Sequence, residues 1–136
     1  MKRNATAVWK GTLKEGNGTL TTQSKVLENT QYSFKTRFEN GIGTNPEELV
    51  AAAHSGCFTM QLAAHLTEEK FEIEHLETKC EIELVDLVIV SSHLIVQAKI
   101  KEISNEKFQE IVKKAEKNCL ISKLFNTEIT VEATLL

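Results

Sequence analysis

Six side chains in this sequence are suited to chemistry: Arg37, Glu47, His54 and the three cysteines Cys57, Cys80 and Cys119. A thiolate is both a nucleophile and a reductant, so the cysteines open redox and covalent chemistry. His54 and Cys57 stand three residues apart and share a helical face, which invites a His–Cys metal site or a histidine-activated nucleophile. A structural zinc site needs four ligands, and the sequence offers no CxxC and no second His/Cys pair. The remaining histidines, His65, His75 and His93, are scattered. Glycoside hydrolysis needs a carboxylate pair, and phosphate binding needs a glycine-rich loop; neither pattern occurs.

Each cysteine also has a plain structural reading, because free cysteine is among the most buried residue types. Cys80 lies on the apolar face of a strand, between Lys79 and Glu81, and reads as a small core residue. Cys57 falls in the middle of an apolar helix, where a thiol is inert unless a cation holds it as thiolate. Arg37 is the candidate cation, since guanidinium stays charged at any accessible pH. Taken alone, Arg37 reads as a solvated strand residue. Cys119 follows an amphipathic helix, where the backbone has freedom to bring one thiol within disulfide distance of another. Glu47 precedes Cys57 by ten residues on one helix, roughly 15 Å along its axis. If both serve one site, Glu47 must come from a second chain.

The elements that would position these groups are legible from period and caps. Ala5–Lys10 and Gly18–Thr22 are short strand candidates in a glycine-rich stretch. Tyr32, Phe34, Thr36 and Phe38 alternate with polar residues, the period of a half-buried strand that carries Arg37 on its outer face. Asn45, Pro46 and Glu48 form an asparagine version of the capping box, predicting a helix from there to about Leu66. That helix is apolar all round, so it is buried, and in so small a chain this points to a dimer. Strands are expected over Phe71–Leu84 and His93–Ile103, joined by a tight connection at Val90-Ser91-Ser92. Ser104 caps a second, amphipathic helix with Phe108, Ile111, Val112 and Ala115 on one face, ending near Asn118. Ile129–Leu135 is a closing strand. The order βββ-α-ββ-α-β indicates an α+β fold with largely antiparallel sheet.

With 136 residues and one proline, the chain reads as a single domain over residues 1–136. A formal charge of −3 and interleaved lysines and glutamates give no basic face for nucleic acid. No window approaches the roughly 18 apolar residues of a membrane span, and no signal peptide is evident. A cytoplasmic setting, where thiols stay reduced, is expected.

The stretches Arg37-Phe38, Gly43-Thr44-Asn45-Pro46-Glu47-Glu48-Leu49 and Ala51-Ala52-Ala53-His54-Ser55-Gly56-Cys57-Phe58 strongly resemble the OsmC/Ohr family of peroxidases. Cys119-Leu120-Ile121-Ser122-Lys123 looks like the family's second cysteine motif. Ala7-Val8-Trp9-Lys10-Gly11 and Gly16-Asn17-Gly18 match as well, and the OsmC subgroup is the nearer one. The resemblance implies an OsmC-like fold, an intertwined homodimer around central helices, and active sites at the dimer interface. It matches Cys57 to the peroxide-attacking cysteine, Cys119 to the resolving one, Arg37 to the thiolate-stabilising arginine, and Glu47 to the glutamate that holds that arginine from the partner chain. It implies reduction of small organic hydroperoxides, and less well hydrogen peroxide, through a sulfenic acid and a Cys57–Cys119 disulfide. An external dithiol such as a lipoyl protein would regenerate the thiols, and no bound cofactor is required. An apolar substrate pocket is expected near Phe58 and Met60. The family's second motif has proline after the cysteine where this chain has Leu120, which leaves that loop less rigid. Two other classes remain open: a non-catalytic ligand-binding or redox-sensing protein of the same fold, and a metal-dependent hydrolase using His54 and Cys57.

Overall fold

β1 (Ala5–Lys10) and β2 (Asn17–Thr22) pair antiparallel, and β2 pairs antiparallel with β3 (Thr30–Tyr32). Gly18 stands in register between Trp9 and Tyr32, whose rings meet at 5.4 Å between centroids. A Cβ at position 18 would fall 2.6 Å from the Tyr32 ring and 2.8 Å from that of Trp9, so only glycine admits this aromatic contact. The structure is a computed structural model, describing residues 1–39 and 41–136.

The predicted strand through Phe38 does not continue. The chain leaves β3 at Tyr32 and forms a 3₁₀ turn over Lys35–Arg37. The cause is local side-chain hydrogen bonding that outbids the sheet. The Ser33 Oγ accepts from the Thr36 amide at 3.2 Å, and Thr36 Oγ1 accepts from the Ser33 amide at 3.1 Å. Phe34 and Phe38 then pack edge to face at 5.2 Å, a spacing that suits a helical turn.

Gly43, with φ +104, turns the chain back so that the Thr44 amide donates to Gln31 O at 2.8 Å. A side chain at position 43 would strike that same carbonyl. Asn45 then caps α1 (Pro46–Glu68), its Oδ1 accepting from the Glu48 amide at 2.8 Å, as the capping pattern predicts. The Glu48 carboxylate accepts from the Thr44 hydroxyl instead of closing the box on Asn45.

The chain divides into two compact units, Met1–Leu49 and Val50–Leu136. In the second unit, β4 (Ile73–Val85) and β5 (Val88–Ile100) form a long antiparallel hairpin, and β6 (Glu128–Leu135) lies parallel to β5. The parallel pair needs a crossover, supplied by α2 (Asn105–Asn118) and α3 (Leu120–Leu124). Sequence reading anticipated α2, with Ser104 capping through Lys107 N at 3.2 Å, but not α3. It also misplaced the hairpin turn. Asp86 and Leu87, at φ 49 and 64, make the turn, and Val90, Ser91 and Ser92 lie within β5. Two consecutive left-handed residues match the right-handed strand twist.

The core of this unit is one cluster. Phe58, Leu62 and Leu66 of α1 meet Leu94, Val96, Ala98 and Ile100 of β5, and Phe108, Ile111, Val112 and Ala115 of α2. Each large side chain fully buried here contributes roughly 2 kcal/mol. Within this chain α1 buries one stripe, His54, Phe58, Leu62, His65 and Leu66. The opposite stripe, Ala53, Gly56, Met60 and Ala64, is exposed in the single chain, and its burial was expected only with a second copy.

Candidate active site

Arg37 and Glu47 come together within one chain. Arg37 Nε donates to Glu47 Oε1 at 2.9 Å, with both side chains largely covered. This differs from the expectation that Glu47 would hold the arginine from a partner chain. The reason lies beside the pair. Thr36 Oγ1 lies 2.7 Å from Ser33 O and 2.9 Å from Thr44 O, and Asn45 Nδ2 donates to Thr36 O at 3.2 Å. The residue before Arg37 is thus tied to the two residues just ahead of the Pro46-Glu47 helix start. Glu47 Oε2 is buried and lacks a hydrogen-bond partner among the described residues. A buried carboxylate oxygen without a donor costs free energy, so this oxygen is an open acceptor.

The guanidinium forms part of the wall of an apolar cavity of about 280 Å³, lined also by Trp9, Leu13, Tyr32, Phe34 and Pro46. Of the two residues expected near a substrate pocket, Phe58 is fully buried in the core and Met60 is 75% exposed. Phe58 faces inward because it lies on the same stripe as His54 and Leu62.

Cys57 and Cys119, both of the second unit, belong to one core. Cys57 is half-buried and packs against the core cluster; Cys119 is fully buried within it. All three cysteines are free thiols. Burial pushes the Cys119 thiol up, the amides of Ile121 and Ser122 and the Ser122 hydroxyl draw it down, and a hydrogen bond with Cys57 raises it. Cys57 thus packs against the same core cluster that holds Cys119. Cys119 is the hinge residue between α2 and α3, with φ −61 and ψ 125, closing one helix and opening the next.

Sequence reasoning missed the surroundings of His54. The ring is fully buried, with Nδ1 at 2.7 Å from Ser92 Oγ and Nε2 at 2.9 Å from Ser122 Oγ. Phe125 packs edge-on against it at 4.9 Å. Both ring nitrogens are thus taken by hydroxyls, and burial lowers the pKa so that the imidazole stays neutral. Among the described residues no three His, Cys, Asp or Glu side chains cluster as a metal site would require. Cys80 packs on the core as expected, and its sulfur also lies 3.3 Å from Ser92 Oγ. Burial raises its pKa, against a lowering hydrogen bond from Ser92. The only sequence signals for this network were a histidine one turn before Cys57 and a serine one turn after Cys119.

The OsmC-like protein family matches residues 38–134, which include Cys57 and Cys119. The chain is 38% identical over 133 residues to Peroxiredoxin OsmC of Escherichia coli (strain K12), covering 95% of this chain and 93% of that one. It belongs to the OsmC-like family. Among solved structures, an OsmC-like protein of unknown function from Vibrio cholerae superposes with TM-score 0.79 at 16% identity, covering 98% of this chain and 99% of that one. The organic hydroperoxide resistance protein OhrB of Bacillus subtilis gives TM-score 0.67 at 25% identity, covering 98% of each. The OsmC-like fold of this chain is thus shared with relatives whose sequences have diverged widely. Among the described residues no helix is long and apolar enough to cross a membrane.

Proposed function

We propose that this peroxidase reduces organic hydroperoxides, and hydrogen peroxide less well, with Cys57 as attacking thiolate and Cys119 as resolving thiol. The observation that carries the reading is that these two free thiols share one core cluster, with Cys57 half-buried at its side and Cys119 within it. The thiolate of Cys57 attacks the terminal peroxide oxygen. The O–O bond breaks, the alkoxide takes a proton and leaves as an alcohol, and Cys57 becomes a sulfenic acid. The Cys119 sulfur displaces hydroxide from it, giving a disulfide and water. An external dithiol, with a lipoyl protein as the proposed carrier, then takes the disulfide through exchange and becomes oxidised itself.

Arg37 is the proposed cation for the thiolate and the peroxide, with Glu47 fixing its orientation. An apolar cavity with the guanidinium in its wall supports a substrate with one polar end and one hydrocarbon end. Glu47 lies ten residues before Cys57 on α1, so the Arg37–Glu47 pair of one chain is proposed to serve Cys57 of a second copy. The exposed stripe of Ala53, Gly56, Met60 and Ala64 supports pairing of α1 with its counterpart in a homodimer. Three free thiols fit the reducing cytoplasm.

The test is steady-state consumption of cumene hydroperoxide with a dithiol reductant. Cys57→Ser is expected to abolish turnover, and retained turnover would sink the assignment. Cys119→Ser is expected to react once, leaving Cys57 as a trappable sulfenic or over-oxidised acid. If that variant cycles as the wild type does, Cys119 is not the resolving residue.

A further inference from the structure

Two buried histidines of α1, His54 and His65, each reach a residue close to Cys119 in the chain. His54 Nε2 lies 2.9 Å from the hydroxyl of Ser122, three residues after the cysteine. His65 Nε2 lies 3.1 Å from the side-chain nitrogen of Asn118, the residue just before it. Along α1 the two rings stand eleven residues apart, close to three full turns, so both project from one side of the helix. Cys57 lies between them in sequence. The joint where α2 ends and α3 begins is therefore held to α1 at two points, one on either side of Cys119. We propose that His54 and His65 are positioning residues for the resolving step, a two-point clamp that fixes Cys119 relative to Cys57. The inference rests on the reading of these cysteines as the attacking and resolving thiols.

Each ring is itself held from behind. Ser92 Oγ of β5 lies 2.7 Å from His54 Nδ1, and Phe125 packs edge-on against that ring at 4.9 Å. His65 Nδ1 lies 3.1 Å from a Glu68 carboxylate oxygen, and its Nε2 also lies 3.0 Å from the side-chain nitrogen of Gln61. The hydrogen bond from His65 holds the Glu68 carboxyl below its ordinary range, so that oxygen is an acceptor and Nδ1 carries the proton. In the neutral ring Nε2 then has a lone pair, which accepts from Gln61 and from Asn118. His54 is 0% and His65 5% exposed, so water does not compete for these bonds.

The chemistry needs such a clamp. Apolar packing is often as stable as a buried polar network, but it lets elements slide, whereas hydrogen bonds fix direction and register. Disulfide closure is demanding: the two Cα atoms must stand roughly 4.4–6.8 Å apart, with the sulfurs turned toward each other. The Cys119 backbone is also engaged on both sides. Its N–H donates to Ala115 O at 2.9 Å, and its C=O accepts from the Lys123 amide at 3.1 Å. With the flanking side chains clamped, rotation about Cα–Cβ is the freedom its sulfur keeps. In the step itself the Cys119–Cys57 S–S bond forms, the S–O bond of the Cys57 sulfenic acid breaks, and the thiol proton leaves with hydroxide as water. Holding the two segments in register raises the effective concentration of one sulfur at the other. The earlier attack on peroxide does not involve Cys119 and gains nothing from the clamp.

The experiment is a single turnover with one equivalent of cumene hydroperoxide, timing Cys57 sulfenic acid and its conversion to disulfide across a range of pH. A redox titration of the disulfide against dithiothreitol accompanies it. The double variant Ser122→Ala/Asn118→Ala, which opens both ends, is expected to form the sulfenic acid at the wild-type rate and resolve it roughly tenfold more slowly. The effective concentration of Cys119 at Cys57 should fall by a similar factor, and the slowing should be the same at every pH, because position and not ionisation has changed. Ser122→Thr, which keeps the hydroxyl, should match the wild type. Wild-type resolution and titration in the folded double variant, equal slowing of both steps, or full recovery at high pH would each overturn the inference while leaving the disulfide cycle standing. Failure of the wild type to pass through a sulfenic acid would overturn the cycle and the inference with it. Should the double variant not fold, nitrogen NMR of histidine-labelled wild type at neutral pH decides. A neutral Nδ1–H tautomer for His65, kept in both dithiol and disulfide forms, supports the clamp, and an Nε2–H tautomer or an imidazolium in either form refutes it.

Discussion

Around Arg37 the hydrogen bonds that shape the chain join residues three to thirteen apart: Ser33 with Thr36, Thr36 with Thr44 and Asn45, Asn45 with Glu48, Arg37 with Glu47, Gln31 with Thr44. Around Cys119 the network spans much longer separations, 38 residues from His54 to Ser92 and 68 from His54 to Ser122. Closing a short loop costs little entropy and closing a long one more, so the first region can form from local bonds while the second exists only once its core is packed. The charged region is correspondingly polar, part-exposed and tied by hydroxyls. The thiol region is enclosed by Phe58, Leu94, Phe108 and Ile111. The proposed mechanism uses both: a fixed cation open to substrate, and sulfurs shielded until the reaction calls on them.

The sharpest way to break this division is to remove the cation. Arg37→Met keeps the length and apolar stem of the side chain but deletes the charge. It is expected to lower the second-order rate with cumene hydroperoxide by roughly 100-fold, the scale seen when one charge-stabilising donor is lost from an active site. Stopped-flow measurement of the first step checks it, with circular dichroism confirming the fold. An unchanged rate would mean that the thiol region activates its own nucleophile, and that the Arg37–Glu47 pair is only structural.

A smaller effect is expected from Thr36→Val, which tests whether local bonds do hold the charged region. Valine fills the same volume but leaves the Thr44 carbonyl and the Ser33 amide without their partner. The loss is about 1–3 kcal/mol of stability, read by denaturant unfolding. The Arg37-dependent first step should weaken in parallel, and the Cys57–Cys119 disulfide should still form once Cys57 is oxidised. Equal damage to both steps would erase the distinction between the regions.

The same contrast explains what was legible in the sequence. The Asn45 cap, the apolar period of α2 and the alternation of β5 are local signals, and the structure follows them. Two local signals competed and misled. The alternation from Tyr32 to Phe38 reads as a strand, yet Ser33 and Thr36 make reciprocal side-chain bonds that bend it into the turn carrying Arg37. Val90-Ser91-Ser92 looks like a turn by composition, yet Ser92 faces inward to meet His54, and the hairpin closes at Asp86-Leu87. The pairing of His54 with Ser92 and Ser122 had no signal at all, because no local period reports a contact made across 38 or 68 residues.

The smallest effect concerns a local joint inside the long-range region. Leu120 stands where the family's motif usually has proline, and it is 71% exposed, so replacing it removes no core contact. Cys119 has ψ 125, the extended conformation that a following proline requires, and Leu120 is the first residue of α3, where the fixed φ of proline fits and its missing N–H is not needed. Leu120→Pro is therefore expected to stabilise the chain by about 0.4–1 kcal/mol, through a stiffer unfolded state, as measured by denaturant unfolding. The rate of disulfide formation in a single turnover should stay within about twofold of wild type if the Cys119 backbone keeps the same conformation throughout the cycle. A slower resolving step in a stable Leu120→Pro variant would show that Cys119 must swing about this joint to reach Cys57. The thiol region would then owe its chemistry to one movable backbone bond as well as to its packed core.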